Sequence, residues 1–129
     1  YNGTKAPPFT TLYGLFDRNK SYPNDEQWML TPRWKQAEKQ MDLGTRYNFS
    51  STNDIIGGNS GSPMINKQKQ VVGLIFDGNM ESLPGDFIFA EDAGNRTVSV
   101  HSSGILAGLE HVYKALRVAS ELRAGKIAQ

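Results

Sequence analysis

The chain lacks cysteine, and this absence excludes disulfides, thiolate catalysis and cysteine-based zinc sites together. The absence of cysteine does not determine the cellular compartment, because many exported bacterial proteins contain no disulfide. A charge excess of one sign is also missing, since 14 Lys and Arg residues are balanced by 13 Asp and Glu residues. Nucleic acid and anionic membranes are therefore not expected as partners. No apolar run approaches the length of a membrane span. We also expect no metal and no cofactor.

The start of the chain also lacks familiar signals. It opens at Tyr1 rather than Met, and no charged segment followed by an apolar run indicates a signal peptide. The 129 residues suffice for one domain with a modest core. Because the opening residues look like part of an ordered sequence, we expect a piece of a longer protein.

The first half of the chain is rich in loops. Residues 9–16 combine aromatic and β-branched side chains, which predicts a strand, and residues 17–25 predict a polar loop. Residues 33–41 predict a short helix, because Thr31 suits the N-cap and Pro32 suits the first helical position.

The second half predicts short strands followed by a helix. The strands are expected over residues 47–51, 63–66, 70–76, 87–89 and 97–100. Apolar residues then recur every three to four positions, which predicts a helix over about residues 103–124. About six short strands with a terminal helix indicate a mainly β protein, an antiparallel β-barrel over about residues 9–100 closed by that helix.

A glycine-rich segment is the most informative feature of the sequence. Residues 57–63 are Gly-Gly-Asn-Ser-Gly-Ser-Pro, and Ser60 is the predicted nucleophile. An attacking serine must stand exposed on a tight turn, and glycine permits the dihedral angles that such a turn requires. In the chymotrypsin arrangement, the N–H groups of the serine and of the glycine two residues before it bind the oxyanion. Here these residues are Ser60 and Gly58.

The glycine-rich segment also has two non-chymotrypsin interpretations to compare, a plain turn and an α/β-hydrolase elbow. A plain glycine-rich turn is the structural alternative for so short a motif. The catalytic interpretation is favoured by Pro63 and by the apolar hairpin that follows. It is also favoured by Asn59, because many peptidases of the chymotrypsin clan carry Asp or Asn at this position. The α/β-hydrolase elbow is excluded, because it needs glycine at position 62 and a helix after the serine.

The general base is expected outside this chain. A serine nucleophile needs a base, yet His101 and His111 both follow Ser60 in the sequence. The chymotrypsin order places His and Asp before Ser. We therefore interpret His101 as a polar residue near the helix start and His111 as a solvated helix position. Alone, the chain is expected to be inactive as a peptidase.

The sequence resembles the C-terminal end of the bacterial dipeptidyl-peptidase 7/11 family, serine exopeptidases of the chymotrypsin clan. The matching segments are residues 2–11, 51–63, 72–79 and 95–100. The resemblance covers nearly the whole chain and is most specific over residues 51–100. It implies that residues 1–129 are the C-terminal portion of a peptidase domain, containing the C-terminal barrel of a double barrel. The triad His and Asp would lie in the N-terminal barrel of the same polypeptide, and an inserted helical domain would cap the cleft.

The resemblance also implies a function. Family members are periplasmic, cell-surface or secreted enzymes that remove dipeptides from free peptide N-termini. Asp77 matches an acidic residue that helps hold the substrate's α-ammonium group. Gly78 matches the specificity position, which is Gly in members favouring bulky apolar side chains and Arg in those favouring Asp or Glu. Assembly into a homodimer stays open.

The residues themselves allow further readings. A carboxylate such as Asp77 is the natural partner for a substrate ammonium, but residues 77–79 also fit a plain turn. Asp54 lies where trypsin-like enzymes carry the acid that selects Lys or Arg, and we interpret it instead as a turn acceptor for nearby backbone N–H groups. A glutamyl-endopeptidase-like enzyme and a non-catalytic peptide-binding half-barrel remain as alternative functions.

Overall fold

The glycine-rich segment leads into the edge strand of a five-stranded sheet, in a computed structural model that describes residues 5–88 and 94–127. The strands are β1 (Phe9–Thr11), β2 (Arg46–Ser51), β3 (Pro63–Ile65), β4 (Val71–Gly78) and β5 (Thr97–His101). Their order is β1-β2-β5-β4-β3, and the β2–β5, β5–β4 and β4–β3 pairs are antiparallel. The predicted antiparallel β fold with a helical C-terminal segment is confirmed.

The chain divides into two units, each built from two separate stretches of sequence. The sheet unit comprises residues 1–10 and 46–102, and the helical unit comprises residues 11–45 and 103–129. The glycine-rich segment and all the predicted site residues belong to the sheet unit.

One face of the neighbouring strands β4 and β5 is buried. Thr97 and Ser99 have no exposed surface, and Gly73 and Ile75 on β4 are also buried. Their spacing is the two-residue period of a strand. Gly73 has to be glycine, because a Cβ atom there would lie 2.4 Å from the carbonyl oxygen of Val100. The inner face of the sheet is therefore closely packed around β4.

The strand predictions in the second half are confirmed, with one exception. The hairpin forms as β3 and β4, and the strands predicted over 47–51 and 97–100 form as β2 and β5. The strand predicted over 87–89 is wrong for Phe87 and Ile88, which follow a 3₁₀ helix (Met80–Asp86). Both residues donate their N–H groups to the carbonyl of Pro84, at 3.0 and 2.9 Å, so this backbone is curled. Phe89 lies outside the described residues.

The strand predicted over residues 9–16 is wrong beyond its first three residues. β1 ends at Thr11, and helix α1 (Leu12–Ser21) begins directly after it. The helix continues to Ser21, so the polar loop predicted over residues 17–25 is wrong for residues 17–21. Leu12 and Phe16 are 0% and 2% exposed. They lie four residues apart, a spacing that places them on one face in a helix as well as in a strand, so the spacing does not distinguish the two. Burial of this helical face overrides the strand preference of the aromatic and β-branched residues.

The helix predicted over residues 33–41 is confirmed. Helix α2 (Pro32–Ala37) continues as a 3₁₀ turn (Glu38–Gln40), and Pro32 occupies the first helical position as predicted. Thr31 has the extended conformation of an N-cap, but its side chain makes no capping hydrogen bond. A further 3₁₀ turn (Glu26–Trp28) precedes α2.

The terminal helix is present but interrupted. It consists of α3 (Ser102–Ala107), a π-helical turn (Gly108–Val112) and α4 (Leu116–Ala124). Between the turn and α4, Lys114 has a left-handed φ of 55°, which a continuous helix does not allow. Val112 and Ala119 are buried, so the pieces on both sides of the break retain an apolar face. No helix in the described part of the chain is both long and apolar enough to cross a membrane.

Candidate active site

Asn59 organises the turn that presents Ser60. Its N–H donates to the carbonyl of Ile56 at 3.3 Å, and its side-chain Oδ1 accepts from the N–H of Ile56 at 2.8 Å. The carbonyl of Asn59 in turn accepts from the N–H of Ser62 at 3.0 Å. One side chain thus closes the turn from the inside, which is a common use of Asn in loops.

Two glycines and strand β4 fix the position of the loop. Gly58 and Gly61 have φ angles of 99° and 86°, in the region that glycine adopts far more readily than other residues. The N–H of Gly61 donates to the carbonyl of Ile75 at 2.8 Å, and the N–H of Ile75 donates to the carbonyl of Ser62 at 3.0 Å. This pair of hydrogen bonds attaches the loop directly to β4.

Ser60 is exposed at the top of this loop. Among the described residues, the backbone N–H groups of Gly58 and Ser60 donate to no acceptor in the chain. An external oxygen atom can therefore accept from them. Their spacing, the serine and the residue two before it, is the one an oxyanion hole of the chymotrypsin type uses.

A cleft of about 290 Å³ brings three predicted site residues together, namely Ser60, Asp77 and Gly78. Gly58 does not line this cleft, although its neighbours Gly57 and Asn59 do. The apolar part of the lining comes from Ile55, Ile56, Ile75, Phe76 and Leu83, and Ser82 contributes a hydroxyl group. The lining thus combines apolar and polar groups, with a serine hydroxyl and a carboxylate in the wall of the cleft.

A β-bulge at Phe76 exposes Asp77. Ile75 pairs with Ser99, whereas Asp77 pairs with Val98, so β4 contains one extra residue between them. In a regular strand, residues 75 and 77 would lie on the same face, because strand side chains alternate, and Asp77 would share the buried face of Ile75. The bulge moves Asp77 to the exposed face, and bulges often redirect side chains in this way next to functional sites. Nothing in the local sequence pattern predicts this bulge.

The segment after the bulge is not a plain turn. β4 continues through Gly78, and the N–H of Asn79 donates to the carbonyl of Arg96 at 2.9 Å. The side chain of Asn79 donates to the carbonyl of Gly94 at 2.9 Å and accepts from the N–H of Arg96 at 2.8 Å. The turn alternative for residues 77–79 is therefore wrong. Asp77 itself accepts from the N–H of Gly78 at 2.8 Å through Oδ1.

Gly78 does not border open space. A Cβ atom at this position would lie 2.3 Å from Oγ of Ser82, 3.2 Å from its Cβ and 3.5 Å from Cδ1 of Ile55. Gly78 therefore does not leave the wall of the cleft empty, because Ser82 occupies the direction in which a side chain at position 78 would point. Sequence reasoning missed Ser82, since its approach to Gly78 depends on a 3₁₀ helix (Met80–Asp86) for which no element was predicted.

Neither histidine lines the cleft, although both lie in described parts of the chain. His101 ends β5, and its ring meets Phe49 edge-on with 5.5 Å between the ring centroids. Partial burial, and secondarily the positive charge of Arg46, lower the pKa of His101. His111 belongs to the π-helical turn of the helical unit.

Asp54 also lies outside the cleft lining. Its Oδ1 accepts from the side-chain amide of Asn95 at 3.0 Å, so the predicted bonding to nearby backbone N–H groups is wrong. Within residues 5–88 and 94–127, the His, Asp and Glu side chains form no group of three that could hold a metal ion.

The fold matches part of a larger protein of known structure. The structure superposes on the crystal structure of Porphyromonas endodontalis DPP11 in complex with the dipeptide Arg-Glu, with a TM-score of 0.81 and 23% sequence identity. The superposition covers 95% of this chain and 18% of that one. The chain therefore has the fold of one part of that protein.

The sequence then places the chain in a family. Residues 1–124 match Peptidase S46, so the chain belongs to peptidase family S46, as the resemblance predicted. Dipeptidyl-peptidase 7 of Porphyromonas endodontalis is 35% identical over 85% of this chain and 15% of its own length. The Asp/Glu-specific dipeptidyl-peptidase of Porphyromonas gingivalis is 30% identical over 88% of this chain and 16% of its own length. The chain thus spans about a sixth of the length of these relatives.

Proposed function

We propose that this chain is the nucleophile-bearing part of a serine dipeptidyl aminopeptidase, which releases dipeptides from peptides with a free N-terminus. The observation that carries the proposal is the meeting of Ser60, Asp77 and Gly78 in one cleft. In the proposed whole protein, the sheet is the C-terminal barrel of a chymotrypsin-like double barrel. The N-terminal barrel and a helical cap of the same polypeptide complete the site.

The proposed reaction proceeds through an acyl-enzyme. Oγ of Ser60 attacks the carbonyl carbon of the substrate's second residue, and its proton passes to a histidine contributed by the N-terminal barrel. The N–H groups of Gly58 and Ser60 stabilise the negative charge on the carbonyl oxygen. The histidine then protonates the leaving amine as the peptide bond breaks. Water hydrolyses the remaining ester, which frees the dipeptide and restores the Ser60 hydroxyl.

Asp77 accounts for the choice of a free N-terminus. Its carboxylate is exposed, and among the described residues it forms no ion pair. Because the N–H of Gly78 already donates to Oδ1, the other oxygen can accept from a substrate ammonium group. Such a charge-assisted hydrogen bond is stronger than one between neutral groups. Its fixed place in the cleft with Ser60 sets the length of peptide released.

The apolar lining accounts for the proposed preference for bulky apolar residues in the second position. Cδ1 of Ile55 lies 3.5 Å from a Cβ atom built on Gly78, Leu83 also lines the cleft, and none of the described residues in its lining is basic. An Asp or Glu side chain would lose its hydration there without gaining a cationic partner. The absence of a basic lining residue also weighs against a glutamyl-endopeptidase-like function.

Two measurements on the full-length protein test this proposal. An organophosphonate should label the wild type and Ser62→Ala but not Ser60→Ala, because only Ser60 should react. Dipeptidyl substrates with a free amine should be cleaved at least about tenfold faster than their N-acetylated forms, as expected when one charge-assisted hydrogen bond is lost. Undiminished cleavage of the blocked substrates would exclude an exopeptidase, and absence of labelling would favour a non-catalytic peptide-binding protein.

We also propose that the protein works in the periplasm, at the cell surface or after secretion. The support is membership of family S46 together with the resemblance, which implies enzymes that act in the periplasm, at the cell surface or after secretion. Cell fractionation with an antibody to the sheet unit tests it, and recovery of the protein in the cytoplasmic fraction alone would contradict it.

A further inference from the structure

Ser82 occupies the space beside Gly78. A Cβ atom built on Gly78 would come within 2.3 Å of Oγ of Ser82, a distance that real Cβ atoms do not tolerate. Both residues line the cleft that contains Ser60. The surface next to Gly78 is therefore formed by a side chain from the following 3₁₀ helix.

Ser82 is held firmly in this place. Its N–H and its Oγ–H both donate to the carbonyl of Asn79, at 3.0 and 2.6 Å. Asn79 is itself joined to Gly94 and Arg96 by three hydrogen bonds. Turning the hydroxyl of Ser82 away from Gly78 would break its bond to Asn79, and its Cβ would still lie 3.2 Å from a Cβ at position 78.

We infer that Ser82 is a second specificity-determining residue of this cleft, which acts jointly with Gly78. Its hydroxyl group forms the surface that meets the substrate's second side chain, in place of a side chain at position 78. A long side chain at position 78 can enter the cleft only when the residue at position 82 is smaller than serine. This inference rests on the proposed function, in which the cleft receives that part of the substrate.

The inference changes what a single substitution achieves. Gly78→Arg should not by itself create a preference for acidic side chains, because the new side chain meets Ser82 at its first atom. The pair Gly78→Arg with Ser82→Gly removes this collision and allows the guanidinium group to reach the substrate. The two positions are therefore expected to be strongly non-additive, as contacting residues generally are.

The test uses the full-length protein and two fluorogenic dipeptidyl substrates with free amines, one with Leu and one with Glu in the second position. The variants are Ser82→Gly, Gly78→Arg and the double variant, with Ser21→Gly as the matched control, an exposed serine at the end of α1. We expect Gly78→Arg to lower kcat/KM for both substrates and to change the Glu-to-Leu ratio less than about threefold. The double variant should raise that ratio by at least about 30-fold, within the range of one charge-assisted hydrogen bond. Equal ratios for the single and double variants would overturn the inference.

A second measurement does not depend on activity and uses a smaller substitution. The midpoint of thermal unfolding is compared for the wild type, Gly78→Ala, Ser82→Gly and their combination. Gly78→Ala should lower the midpoint, and adding Ser82→Gly should recover at least half of the loss. Additive effects would show that the two positions do not compete for space.

The two measurements separate the possible failures. If the wild type cleaves free-amine substrates but the variants are additive, only the role of Ser82 is wrong. If the wild type cleaves neither substrate while the unfolding data are non-additive, the proposed function is wrong, and the assignment of Ser82 to substrate choice falls with it.

Discussion

Replacing Asp77 by Asn in the full-length protein removes a negative charge from the cleft and keeps the shape of the side chain. The Asn Oδ1 atom can still accept the hydrogen bond that the Gly78 N–H donates to Asp77 at 2.8 Å. The bulge that exposes residue 77 does not depend on its charge, because it results from the pairing of the neighbouring backbone. The substitution therefore isolates the proposed interaction with the substrate's ammonium group.

The size of the effect follows from where the carboxylate lies. Hydrogen bonds to charged groups contribute about 1.5–3 kcal/mol, whereas ion pairs between fully exposed groups contribute about 0.2–1 kcal/mol. Asp77 is exposed in the sheet unit but lines a cleft that bound substrate would close. We take about 1–2 kcal/mol, which corresponds to a loss of about 5- to 30-fold in kcat/KM for free-amine substrates.

The assay compares kcat/KM for a free-amine dipeptidyl substrate and its N-acetylated form. Asp77→Asn should reduce only the first, so that the two values approach each other. Asp42→Asn is a matched control, because Asp42 is also exposed and its Oδ1 accepts from the N–H of Gly44 at 2.9 Å, in the helical unit. If Asp77→Asn lowers both values equally, or behaves like the control, Asp77 does not bind the ammonium group.

Three further predictions concern the loop and the sheet. Gly58→Ala should lower the free energy of unfolding by about 1–3 kcal/mol in a denaturant titration, because a φ of 99° strains any residue other than glycine. Gly57→Ala is the control and should change this free energy little, because its Cβ atom would meet nothing within 4 Å. Asn59→Ala should lower the free energy of unfolding by about 1 kcal/mol, because it removes the 2.8 Å hydrogen bond that the N–H of Ile56 donates to the Asn59 side chain. Asn59→Asp keeps an acceptor oxygen and should retain most of this stability, which thermal unfolding can check. The pKa of His101 is lowered in the folded state, so the unfolded chain binds more protons and stability should fall as the pH drops below about 6.5. Unfolding measured across pH should show this loss in the wild type and less of it in His101→Phe, and an unchanged profile would refute the assignment.

Local patterns in the sequence predict much of the sheet. The apolar runs on each side of residues 67–69 are sufficient to predict the β3–β4 hairpin, and the Thr-Val-Ser-Val run is sufficient for β5. The crowded glycines likewise predict the tight turn under Ser60, and two of them have positive φ angles. These features depend on interactions between residues that are close in the sequence.

The remaining features depend on contacts that the sequence alone does not reveal. Residues 12–16 fit a strand by composition, but they form helix α1, in which Leu12 and Phe16 are buried on one face. The bulge at Phe76 results from the register between β4 and β5. Ser82 meets Gly78 only because residues between them adopt a 3₁₀ conformation, so its role follows from the backbone path rather than from any motif.

The bulge at Phe76 also affects how such a cleft can diversify. Because of it, four consecutive residues, 75–78, all line the cleft, whereas a regular strand would contribute only every second residue. An exchange of four adjacent codons could therefore replace the apolar side chains of residues 75 and 76, the charge at position 77 and the residue at position 78 together. The buried residues of the neighbouring strand β5 would keep their sequence during such an exchange. Under the proposed function, a tract of gene conversion spanning residues 75–82 would be enough to transfer most of a substrate preference.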